Sequence, residues 1–89
     1  MKLHVPHNFT KTEAKTRIDQ MGQEYQMVIS WTDEFSGSGR MTYNGSTVDG
    51  HVEVTDSEVR LDVKLPRLAR MFESRIKPQL TAEIEKALS

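Results

Sequence analysis

The chain has 89 residues, which is one domain (1–89) with a modest core and little beyond one sheet covered by helices. Twelve basic against 13 acidic residues give a net charge of −1, which argues against a dedicated, sequence-specific nucleic-acid binder. There is no cysteine, so disulfides and thiol chemistry are excluded.

The opening MKLHVPHNFTK lacks an apolar core of signal-peptide length, and no run approaches membrane-spanning length. A cytoplasmic protein is expected. Lys2 to His7 reads as a short strand with Leu3 and Val5 on one face. Pro6 cannot donate to a ladder, which suggests an edge position or a strand end. Thr10 is placed to cap a helix, with Glu13 completing a capping box and Phe9 stapling onto Ala14. Ala14, Ile18, Met21 and Tyr25 follow at helical spacing, and Glu13 and Arg17 form an i,i+4 pair. The helix should end near Gln26 or Met27.

Val28 to Phe35 reads as the second strand, with Ile29, Trp31 and Phe35 on one face. Ser36-Gly37-Ser38-Gly39 reads as a turn, and a three-residue loop there sets Trp31 opposite Tyr43. Asn44-Gly45 is a strong two-residue turn signal that sets Met41 opposite Val48 and Arg40 opposite Asp49. Val48, Val52 and Val54 alternate with polar residues, as do Val59, Leu61, Val63 and Leu65, so each strand has one buried and one wet face. A loop within Thr55–Glu58 pairs Val54 with Val59. The same register sets Glu53 against Arg60 and Asp49 against Lys64, so charge and apolar patterns agree on one hairpin. Gly50 falls on the inner face. A bulge, a bend or room for something over the sheet would account for it, the bend being the commonest.

Pro66 stops the last strand and opens the final helix. Leu68, Phe72, Ile76, Leu80, Ile84 and Leu88 recur every fourth residue, too far apart in phase for one straight helix to bury them all. Pro78 removes the bond to the Ser74 carbonyl and should kink or break that helix. The first half, with Leu68, Met71, Phe72 and Ile76, is then expected on the sheet. The second half, with Leu80, Ile84 and Leu88, would redirect, bend over the sheet edge or meet a second subunit as a homodimer. The fold class is α+β, ordered β-α-β4-α. Its antiparallel-rich five-stranded sheet has order 2-3-4-5-1, with two helices on one face, and is similar to a reduced helix-grip fold.

No catalytic, cofactor or metal motif emerges. His4 and His7 point to opposite faces of a strand, and His51 faces Asp62 on the wet side with no nucleophile placed to use it. Two weaker constellations remain. Trp31, Met41, Tyr43 and Met71 are candidates to line an apolar cavity, favoured by five methionines in 89 residues. Arg67, Arg70 and Lys77, with Ser74, form a stripe at helical spacing that is a candidate surface-binding face.

The run Val48-Asp49-Gly50-His51-Val52-Glu53-Val54, the strand Val59 to Leu65, and the tail Phe72-Glu73-Ser74-Arg75-Ile76 leading to Ile84-Glu85-Lys86-Ala87-Leu88 resemble the polyhydroxyalkanoic acid system family. So does the opening His4-Val5-Pro6-His7 followed by a capped helix. These small bacterial proteins are described as granule-region or granule-regulatory. The resemblance supplies no catalytic residue. It implies a non-enzymatic accessory protein of polyhydroxyalkanoate storage, cytoplasmic or granule-associated, that binds a granule surface, a granule protein or an apolar acyl ligand. The alternatives are a small apolar-ligand carrier of helix-grip type and a plain dimeric interaction module.

Overall fold

The computed structural model describes residues 1–43, 46–67 and 69–89, with side chains at all of these except 41–43, 46 and 69. The turn expected at Asn44-Gly45 and the core role expected of Leu68 lie outside the described residues. The elements are β1 (Lys2–Pro6), α1 (Lys11–Glu24), β2 (Val28–Trp31), β3 (Ser36–Tyr43), β4 (Ser46–Val54), β5 (Glu58–Lys64), a short 3₁₀ turn (Ala69–Phe72) and α2 (Glu73–Ala87). All strand pairs are antiparallel, and the sheet order is β1-β5-β4-β3-β2. This is the expected order and the expected α+β class.

The Val48–Leu65 hairpin has the expected register: Val54 faces Val59, Glu53 faces Arg60 and Asp49 faces Lys64. Arg40 faces Asp49, and its Nε donates to Asp49 Oδ1 at 2.9 Å. Arg60 donates to Glu53 and Glu58 at 3.2 and 2.7 Å, so charges bridge β4 and β5 on the wet face. Beneath them Val5, Val54 and Val59 form one cross-strand row, each at most 2% exposed. Ala14 and Ile18 of α1, Ile84 of α2 and Leu88 at the C-cap of α2 belong to the same core.

α1 starts as expected, with Thr10 Oγ1 accepting the Glu13 amide at 3.1 Å. The Glu13 carboxylate accepts from Arg17 at 3.1 Å. The helix ends in a Schellman motif: the Met27 amide donates to the Gly22 carbonyl at 2.7 Å and the Gln26 amide to the Gln23 carbonyl at 3.2 Å. Gln26 takes the left-handed position, with φ of 57°.

Two expectations are corrected. Ser36–Gly39 is not a turn but the start of β3, and Phe35 leaves β2 for the turn at residues 32–35. There the Thr32 and Asp33 amides both donate to the Ser36 carbonyl. Trp31 therefore faces Gly37, not Tyr43. The physical reason is close approach: a Cβ on Gly37 would stand 2.6 Å from the Ser30 carbonyl oxygen, so glycine lets β2 close onto β3.

The second correction concerns the last helix. α2 runs through Pro78 without a break, and the interruption comes earlier, where the 3₁₀ turn gives way at Glu73. Met71 and Phe72 face solvent, while Ile84 and Leu88 are buried in their own chain's core. The halves are thus reversed from the expected arrangement. Of the alternatives for Leu80, Ile84 and Leu88, packing within the chain accounts for Ile84 and Leu88, while Leu80 is partly buried against the same core. Pro78 is tolerated because this first half is exposed, so water can satisfy the freed Ser74 carbonyl.

His7, read as the last residue of the first strand, lies just past the end of β1 and is 6% exposed. Its Nδ1 accepts the Phe9 amide at 3.1 Å, and its Nε2 lies 2.8 Å from the Thr55 carbonyl oxygen. Those partners select the neutral tautomer protonated at Nε2.

Candidate functional site

Two features stand out: a cleft between the sheet and α2, and an exposed turn at the start of the helical tail. The cleft follows from the sheet register. Trp31, Gly37, Val52, Leu61 and Leu3 form one inner-face row across the five strands. In the next row Ile29, Gly39, Gly50 and Val63 lie side by side. Two glycines are therefore directly opposed at the middle of the sheet, flanked by larger residues. The ladder passes through Gly50 without an inserted residue, so there is no bulge.

Above this gap lies an inner hollow of about 50 Å³, bounded by Ile18 from α1 and by Leu80 and Ile84 from α2. Among the described residues, every one lining it is apolar. An outer hollow of about 160 Å³ continues toward the C-terminal end of α1, and Met21, Met27, Val48, Val63 and Leu80 line both. Among the described residues, polar groups occur only at the outer end, as Tyr25, Gln79 and Glu83. There the Tyr25 hydroxyl donates to Glu83 Oε2, tying the end of α1 to α2. That hydrogen bond, with lesser contributions from desolvation and the Glu83 and Glu24 charges, holds the Tyr25 phenol above its ordinary value of 10.0. The volume is below the 300–1,000 Å³ range of ordinary small-molecule pockets, which limits an occupant to a short chain.

The exposed turn carries Met71 at 78% and Phe72 at 50% exposure. Arg67, Arg70, Arg75 and Lys77 are exposed in the same stretch of chain, as is the acidic Glu73. Two large apolar side chains thus stand in water in a stretch where four cations outnumber one carboxylate.

The structure distributes the sequence-derived candidates. Trp31 does not line the cleft: its Nε1 donates to Asp19 at 2.8 Å and Lys15 Nζ lies 4.8 Å from its ring centroid, so it ties β2 to α1. Met71 lies outside the cleft, on the exposed turn. The Met41 and Tyr43 side chains lie outside the described part. Arg70 lies within the exposed turn, Arg67 just before it, and Lys77 one turn into α2. Among the described residues no group of three His, Cys, Asp or Glu could hold a metal ion, and no helix is long and apolar enough to cross a membrane.

The family model described as putative polyhydroxyalkanoic acid system protein matches residues 1–88. The chain belongs to that family. No curated protein matches it in sequence. The polyhydroxyalkanoic acid system name associates the chain with polyester storage, and the match spans both features of this site. Sequence reasoning missed the cleft walls contributed by Gly39, Met27 and Leu80. Gly39 acquires meaning only once β3 is known to begin at Ser36, which places it across from Gly50.

Proposed function

We propose that this chain is a non-enzymatic accessory protein of polyhydroxyalkanoate storage that docks on the apolar granule surface through Met71 and Phe72. The observation that carries this reading is the exposure of those two side chains in a stretch that also exposes Arg67, Arg70 and Lys77. An apolar side chain gains about 1.5–3 kcal/mol on full burial, so Met71 and Phe72 have free energy to gain on a hydrophobic particle. The arginines and Lys77 would steer the domain toward an anionic coat and hold the turn against it. Family membership supplies the storage context. The protein would be cytoplasmic and partition onto granules.

Co-sedimentation with purified polyhydroxyalkanoate granules tests this. The wild type should pellet with granules, and the M71S/F72S double variant should bind about thirtyfold more weakly, equivalent to about 2 kcal/mol. Changing Arg67 and Arg70 to alanine should weaken binding mainly at low salt. A wild type that stays in the supernatant, or a double variant that pellets equally well, would overturn the proposal.

A further inference from the structure

Glycine in a strand interior is destabilising by roughly 0.5–1 kcal/mol relative to alanine, and it usually answers a backbone need. Gly37 has such a need, since a Cβ there would meet the Ser30 carbonyl oxygen at 2.6 Å. Gly39 and Gly50 do not. A Cβ on Gly39 would meet its nearest neighbours, Val28 O and Ile29 Cγ1, at 3.5 and 3.6 Å. A Cβ on Gly50 would meet Asp62 O at 3.5 Å and Val63 Cγ2 at 3.9 Å. These are ordinary contacts, and neither glycine has the positive φ that would exclude a side chain. Two opposed glycines thus leave a gap that the backbone does not require, and the apolar hollow lies directly over it.

We infer that this cleft is a binding site for one unbranched alkyl chain of about six carbons ending in an uncharged hydrogen-bonding group, a hydroxyl or an ester. The size follows from the outer hollow of about 160 Å³, since an apolar cavity of about 150 Å³ accepts a six-carbon molecule such as benzene. The inner hollow of about 50 Å³ above Gly39 and Gly50 takes the chain's methyl end. Met21 and Met27 line both hollows, and their flexible thioethers can fit around a chain. The polarity of the other end follows from the mouth. Gln79 offers both a donor and an acceptor there, while Glu83 is an anion. A ligand carboxylate at the mouth would face the Glu83 carboxylate, so a neutral end group is selected. This inference does not depend on granule docking, because Met71 and Phe72 lie outside the cleft.

Titration of the ¹⁵N-labelled protein with 1-hexanol, monitored by amide shifts, is the test. Saturable shifts at Gly39, Gly50 and Val63 are expected, with hexanoate binding at least tenfold more weakly. Gly50→Val fills the gap with a β-branched residue suited to a strand, and should abolish the hexanol shifts while leaving granule co-sedimentation unchanged. Should Gly50→Val fail to fold, the smaller G39A/G50A pair, whose methyl groups meet neighbours at ordinary distances, should reduce hexanol affinity at least fivefold. The inference is overturned by a wild type showing no saturable hexanol shifts, by filled variants that bind as the wild type does, or by hexanoate binding as tightly as hexanol.

Discussion

At the scale of single residues, Gln26 carries a conformation its side chain disfavours. Its φ of 57° closes the Schellman end of α1, a position usually taken by glycine. The left-handed region costs a non-glycine residue roughly 1–2 kcal/mol, and glycine's greater freedom in the unfolded chain returns part of that. Gln26→Gly is therefore expected to stabilise the protein by about 0.5–1 kcal/mol, read as a higher urea midpoint at unchanged slope. A lower midpoint would mean that the Gln26 side chain contributes more than its backbone costs. The helix end near Gln26 was legible from the loss of apolar periodicity, but nothing in a glutamine announces a positive φ. Arg17 was half legible in the same way. Its i,i+4 partner Glu13 was visible, but its guanidinium also covers the Phe9 ring at 4.2 Å and donates to the Ala87 and Ser89 carbonyls at 3.4 and 3.2 Å. Such contacts exist only after the chain ends have been brought together.

At the scale of elements, the β4–β5 hairpin was the most legible part, because apolar alternation and cross-strand charge each specify one register and the two coincide. The β2–β3 hairpin was not, because Ser36-Gly37-Ser38-Gly39 has the composition of a turn and the packing role of a strand. Glycine there answers a 2.6 Å approach that only the paired strand creates. The last helix misled for a related reason. A proline in a helical pattern normally marks a kink, yet Pro78 lies in an α2 whose first half touches mostly solvent. With little packing to hold that half in place, the missing Pro78 amide still costs helix stability. Pro78→Ala is expected to raise unfolding free energy by about 1–3 kcal/mol and to deepen the helical circular-dichroism signal. An unchanged midpoint would show that the exposed half of α2 unfolds independently of the core.

At the scale of the whole molecule, the core is asymmetric. Val5 and Val54 are closely packed at one end, the Gly39–Gly50 row is open at the other, and Val59 and Ile84 stand between them and line the inner hollow. The volume over that row depends on how far α2 stands from the sheet, which no local pattern encodes, so the cleft was legible only as an unexplained Gly50. At the outer end of the cleft the Tyr25–Glu83 hydrogen bond joins α1 to α2. Because the Glu83 carboxylate favours the protonated phenol, the folded-state pKa of Tyr25 lies above the unfolded value of 10.0. The contribution is therefore fully present below pH 10 and is lost as pH rises through the folded value. Tyr25→Phe lacks both the bond and the titration. The stability difference between wild type and Tyr25→Phe, measured by urea unfolding from pH 8 to pH 11.5, should favour the wild type at pH 8 and shrink above pH 10. All other ionisable groups are the same in both proteins and cancel in that difference. A difference that stays constant across the range would mean that the hydroxyl acts through packing alone, and that the two helices are held together by the buried Ile18 and Ile84 rather than by the Tyr25–Glu83 bond at the mouth.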